Sequence, residues 1–278
     1  AAAELGDHCG DDERAAAWRA AAADLARVLN GPRAAFGRHA LDFACALWPC
    51  DARHMDDIAT REEFDRRWSA KWIRGSTYQR ADRDRWLEVL EAHNQLRLGH
   101  ADRALLTVEK FLAHQDAPGL YAWAEHRGPD SGADLWARLH SRWPAHEQQR
   151  GQALPAVQVA ASLALLVRDL FAWEDDDELI LGAGIDAQWV AGCDEEGLGV
   201  EALPTRWGPL SWRLRAIGPG RLSLQIRCGR GGPPGGYRLR LPLGPQALVE
   251  IEGVGLRDEG GSWLLPGGET IQAAITLS

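Results

Sequence analysis

The feature that most constrains this chain is a change of hydrophobic rhythm at Asp175-Asp176-Asp177. Before it, apolar residues recur at helical spacing in long segments; after it, they alternate in short runs divided by Gly and Pro. Helices first and strands afterwards point to an α+β organisation rather than to the alternation that builds a parallel α/β sheet. The expectation is two domains, a helical hairpin array over residues 1–175 and an antiparallel β-sandwich over residues 176–278.

In the first half, Asp11 and Asp12 precede an alanine-rich run over residues 14–29, where Trp18, Ala21, Ala22, Leu25, Val28 and Leu29 share a face and Gly31-Pro32 ends the helix. Further helices are expected over residues 39–47, stopped by Trp48-Pro49, and over residues 55–72. Asp82 can cap the next, with Trp86, Val89, Leu90, His93, Leu96 and Arg97 at helical spacing before Gly99. Residues 101–114 follow at once with Leu105, Val108 and Leu112 on one stripe, so these two helices should form an antiparallel hairpin. Residues 154–173 are apolar nearly all round, which implies burial between neighbours. In the second half, strands are expected over residues 178–181, 198–202, 210–217, 221–228, 237–241, 247–252, 263–265 and 271–277. The clearest is 221–228, where Leu222, Leu224 and Ile226 alternate with Arg221, Ser223, Gln225 and Arg227.

Composition narrows the partners. A chain of 278 residues with 45% hydrophobic content can bury a large core, and its net charge of -9 argues against an electrostatic grip on nucleic acid. The five cysteines are odd in number and lack any CxxC spacing, so a disulfide framework is not expected and a reducing, cytoplasmic compartment is. The longest apolar run, residues 153–167, is interrupted by Gln158 and Ser162 and falls short of the roughly 20 residues of a membrane helix. The chain opens at Ala1 without the pattern of a signal peptide, and the expectation is a processed or truncated start with catalytic parts upstream.

Most motifs resolve to ordinary structure. Leu181-Gly182-Ala183-Gly184 follows an apolar strand as a dinucleotide fingerprint would, but Gly192, Gly197 and Gly199 break the segment that should be its long helix, so a glycine-rich turn is expected instead. His140, His146 and Glu147 do not form a zinc motif, and neither a nucleophile elbow nor a P-loop is found. Nothing asks for a metal or cofactor.

Carboxylates beside aromatics remain, at three places. Trp48-Pro49-Cys50-Asp51 closes a helix, Lys71-Trp72 precedes the Gly75-Ser76-Thr77 loop, and Tyr121-Ala122-Trp123-Ala124-Glu125-His126 opens a long loop that also holds Trp136 and Trp143. Helix connections usually run about two to eight residues, so a connection of this size is more often functional than idle. Aromatic faces stack on the apolar faces of pyranose rings, and a carboxylate beside them can move a proton or activate water. The alternative is local packing, with Tyr121 and Trp123 at a helix end and Glu125 solvated.

The series of helical hairpins, the Trp48-Pro49 turn, the Tyr121-Ala122-Trp123-Ala124-Glu125 segment followed by Gly128-Pro129-Asp130-Ser131-Gly132, and the late apolar helix resemble the closing part of six-hairpin, (α/α)6-barrel glycoside hydrolases. The segment Leu203-Pro204-Thr205-Arg206-Trp207-Gly208-Pro209-Leu210-Ser211 resembles the start of the β-domain that follows the barrel in bacterial members. The resemblance implies that Glu125 is the base activating water for attack with inversion, across about 6.5 to 9.5 Å from a protonated acid. It leaves the acid unidentified, with Asp51 a second carboxylate candidate. Tyr121, Trp123, Trp48 and Trp72 become sugar-stacking or cavity-lining residues, and an oligosaccharide or glycoside the partner. The chain has room for only about half of a twelve-helix toroid. Apolar stripes left uncovered would then be met by an upstream segment or a second copy. A non-catalytic glycan-binding module and a helical protein-interaction or scaffold module are the alternatives.

Overall fold

The computed structural model describes residues 3, 6–7, 9–29, 47–50, 58–73, 77–78, 85–115, 119–124, 155–244, 246–256 and 261–277. These fall into two compact units, Ala1–Leu98 and Gly99–Ser278.

In the first unit, α1 (Asp12–Leu29) begins where the Asp11 carboxylate accepts the Arg14 N–H at 3.2 Å, the capping expected of an aspartate before an alanine run. Ala15 is buried, yet Trp18 and Leu25 of the expected apolar face are 40% and 60% exposed. Helix α2 (Ile58–Lys71) stops short of Trp72, which instead opens the two-residue strand β1 (Trp72–Ile73) paired antiparallel with β2 (Thr77–Tyr78). Helix α3 (Arg85–Arg97) departs furthest from its periodicity. Val89, Leu90, His93 and Leu96 of its expected face are buried, but so are Arg85, Glu88, Glu91, Asn94 and Gln95. The helix is thus enclosed on its polar side as well. Leu47, Phe64 and Leu98 form one apolar cluster of this unit.

In the second unit, α4 (Ala101–Ala113) packs against α5 (Val157–Phe171), which also meets strands β3 (Ala172–Asp175) and β5 (Leu198–Thr205). The helix was expected to continue to Trp173; the chain turns extended at Ala172. Strand β3 forms a hairpin with β4 (Glu178–Leu181) in which Asp175 faces Glu178, leaving Asp176-Asp177 as a two-residue turn. Asp176 takes φ 44°, a left-handed conformation that a short polar side chain tolerates. The acidic run therefore reverses the chain.

The glycine-rich segment after β4 is a turn folded onto the end of α5. Gly182 and Gly184 donate their N–H groups to the carbonyls of Phe171 and Leu170, at 2.9 and 3.0 Å. These carbonyls lie in the last turn of the helix and would otherwise lack intrahelical donors. A Cβ on Gly184 would lie 2.6 Å from Leu170 Cα, so only glycine permits this approach. The helix that follows, α6 (Ala187–Ala191), is five residues long and capped by Asp186.

The remaining strands are β6 (Gly208–Gly218), β7 (Arg221–Cys228), β8 (Gly236–Leu239), β9 (Leu248–Ile251), β10 (Val254–Gly255), β11 (Trp263–Leu265) and β12 (Thr270–Thr276). One sheet has the order β10-β9-β12-β7-β6-β5 and another the order β11-β8-β4-β3. The expectation of purely antiparallel strands is corrected at one pair: β4 and β8 run parallel, with Leu179 opposite Tyr237. A parallel pair needs a long crossover, and β5, β6 and β7 make it by leaving for the other sheet and returning. Both sheets feed one apolar core, Leu179, Tyr237, Leu239 and Trp263 from the smaller and Trp212, Leu224, Ile226 and Ile275 from the larger.

Arg168 ties α5 to this β region. It lies beside Asp169 at 3.0 Å and donates to both Glu174 oxygens at 3.0 and 3.1 Å and to the Pro204 carbonyl at 3.2 Å. Burial opposes its charge, but the carboxylates of Glu174 and Asp169 prevail and raise its proton affinity above the ordinary arginine value. Glu174 also accepts the Arg206 N–H, so the turn that joins β5 to β6 is anchored to β3.

Candidate functional site

Among the described aromatics, Trp48 is the one whose setting is most elaborately built. Its ring stacks on His93 of α3, with centroids 3.6 Å apart and planes 4° from parallel, and it packs against Leu87 and Leu90 of the same helix. The main chain is fixed by the next helix residue: Asn94 Oδ1 accepts the N–H of Leu47 at 3.2 Å and of Trp48 at 2.8 Å. Asn94 Nδ2 donates to the Leu90 carbonyl four residues back, so the amide is engaged on both sides. Trp48 stays partly accessible while His93 and Asn94 are 1% and 0% exposed. A half-exposed indole on a rigid buried base can offer a flat apolar surface to a ligand.

The opposite side of α3 carries Glu88, Glu91 and Gln95, three and four residues apart and hence on one helical face. The carboxylate residues are 1% and 5% exposed, and Gln95 Nε2 donates to the Phe64 carbonyl of α2 at 3.4 Å. The sequence pattern alone does not single out Asn94, Glu88 or Glu91. The available signal was the Glu88 and Glu91 spacing, but a pair at that spacing looks the same on a solvated face.

The Tyr121-to-Glu125 segment lies in the other unit. Tyr121 is 64% exposed, sits in a turn with φ 49°, and donates its N–H to Gln115 Oε1 at 2.9 Å. Trp123 is 4% exposed, its Nε1 donates to the Phe111 carbonyl at 2.8 Å, and its ring meets Phe111 at a tilted 6.0 Å. The Trp123 carbonyl then accepts the Ala156 N–H at the start of α5. Trp123 thus joins α4 to α5, and its indole is spent on packing. Glu125 and Asp51 lie outside the described residues, as do Trp136 and Trp143, and for Trp72 only the backbone position in β1 is described.

Among the described residues no group of three or more His, Cys, Asp or Glu side chains could hold a metal ion, and no described helix is long and apolar enough to cross a membrane. Compared with known proteins, the chain matches no family model and no curated sequence.

Proposed function

We propose that this chain is a carbohydrate-active protein, the C-terminal portion of a six-hairpin glycoside hydrolase with its β-sandwich, hydrolysing a glycosidic bond by acid and base with inversion. The observation that carries the reading is the Trp48 and His93 stack, an aromatic platform fixed by a buried helix and open on part of its surface. In this account Trp48 meets an apolar sugar face. Glu125 is the base by its resemblance to the Tyr-x-Trp-x-Glu segment, Tyr121 an exposed contact, and Asp51, three residues beyond Trp48, the second carboxylate candidate.

Exposed apolar helix surfaces support the part-barrel aspect. Trp18 and Leu25 of α1 and, in the other unit, Val157 and Leu165 of α5 are 40%, 60%, 71% and 46% exposed. Such stripes are what helices show when their neighbours in a toroid are lacking.

Burial of Trp123 favours a second reading, a helical protein-interaction module with an accessory sandwich, because a tryptophan with no open face cannot stack on a sugar. The two are separated by incubating the chain with a panel of neutral α- and β-linked oligosaccharides and following both binding and product anomers. Release of the inverted anomer supports the hydrolase; binding without release supports a non-catalytic glycan-binding module; neither binding nor release removes the carbohydrate reading and leaves the protein-interaction module.

A further inference from the structure

The outer face of the six-stranded sheet carries a regular line of arginines. Strands β6 and β7 are registered so that Ser211 faces Arg227, Arg213 faces Gln225, Arg215 faces Ser223 and Gly218 faces Arg221. Trp212, Leu214, Leu222, Leu224 and Ile226 point into the core, so these four cross-strand rows lie on the opposite face. Each row holds one arginine beside a small or neutral polar partner. Along β7 successive rows are two residues apart, about 6.8 Å at about 3.4 Å per residue, while on β6 a register shift between Ala216 and Gly218 adds one residue before the last row.

The line is shaped to stay open. Gly197 takes φ 85°, and a Cβ there would lie 2.6 Å from Arg215 Cγ and 3.2 Å from Arg213 Cγ. Both arginine stems therefore lie across a position with no side chain, and Arg213 Nη1 is fixed on the Glu196 carbonyl at 2.9 Å. Among the described residues, the guanidiniums of Arg215, Arg221 and Arg227 have no carboxylate partner. A cavity of about 360 Å³ opens here, lined by Arg213, Arg215 and Arg227 against the single carboxylate of Glu201. In a chain of net charge -9, this concentration of positive charge is a local specialisation.

We propose that this face binds an extended acidic peptide segment, with Asp or Glu at alternate residues laid along β6 and β7. In an extended chain, alternate side chains share a face at the spacing of the arginine rows, and a ligand strand follows the twist of the sheet beneath it. Each guanidinium presents a fork that matches a carboxylate, and Ser211, Ser223 and Gln225 supply hydrogen bonds between the charges. The rows hold no aromatic side chain for stacking bases or pyranose rings, which favours a peptide over nucleic acid or glycan. This inference is independent of the proposed glycosidase activity.

The test uses the whole chain and a fluorescein-labelled ten-residue peptide of alternating Glu and Thr, read by anisotropy at about 0.1 M salt, where charges more than about 10 Å away are largely screened. Binding is expected, weaker for a peptide of the same composition with its glutamates in one block. The double variant Arg215→Gln, Arg227→Gln should weaken binding about tenfold, with circular dichroism and melting unchanged because both side chains are exposed. Absence of binding, equal binding of the block peptide, or affinity unaltered by the double variant overturns the proposal. So does tighter binding of oligothymidylate or a sulfated oligosaccharide.

Discussion

The imidazole of His93 lies flat against the indole of Trp48, 3.6 Å between centroids and 4° from parallel. The neighbouring Asn94 holds the Trp48 main chain, so two consecutive residues of α3 set both the plane of the ring and the path of the chain that carries it. Such a double constraint costs the helix a buried polar side, and that expense is understandable where an aromatic surface must be presented in one orientation.

Asn94→Ala removes the acceptor of two backbone N–H groups at a fully buried position. Leaving both unsatisfied should cost about 2 to 4 kcal/mol of unfolding free energy. Urea denaturation of the variant checks this, and a loss below about 0.5 kcal/mol, the scale of an ordinary surface change, would show that Asn94 does not hold the turn.

Trp123→Phe should lower stability while leaving any sugar affinity intact. It keeps a ring against Phe111 but loses the N–H donated to the Phe111 carbonyl, at about 1 kcal/mol for the bond plus the smaller volume. Trp48→Ala should do the reverse in proportion, weakening glycan binding more than folding. Calorimetric titration and thermal melts on the two variants distinguish a packing indole from a presenting one.

Acid should remove a contribution from Glu63. Hydrogen bonds from Arg66 at 2.6 and 2.7 Å, with Arg67 at 2.9 Å, hold its carboxyl down to about 2 from an ordinary 4.5. A carboxylate with a depressed folded value adds stability above the unfolded value and loses it as pH falls through the folded one. The contribution is therefore complete above about pH 4.5 and disappears toward pH 2. Solvent at this surface keeps it to about 1 kcal/mol or less. Glu63→Gln should make the decline of melting temperature between pH 4.5 and 2 shallower than in the parent chain; identical slopes would count against the pairing.

The β half was legible in the sequence because alternation fixes a face directly. Leu222, Leu224 and Ile226 are buried and Arg221, Gln225 and Arg227 exposed, as the period of two requires. The turn of Gly182 to Gly184 was legible too, since the breaking glycines that follow it leave no room for a long helix. The parallel pairing of β4 with β8 was not, because pairing across a long excursion depends on which sheet the intervening strands join. The apolar content of residues 172–173 suits a helix as well as a strand, because buried strands and buried helices share it. In α3 the period of 3.6 located the apolar face but could not show that Glu88, Glu91 and Asn94 are enclosed as well. Aromatic identity marked both Trp48 and Trp123, and only their surroundings separate a half-open ring from a buried one.

In the proposed hydrolase, water activation depends on Glu125. The chain and its Glu125→Gln variant should be compared for hydrolysis and for binding of the oligosaccharide that the parent chain cleaves best. Loss of a general base should lower turnover by about a hundredfold or more while affinity and melting temperature stay near those of the parent. Hydrolysis by the variant at the parent's rate would contradict the account, as would a parent chain that cleaves no glycoside in the panel.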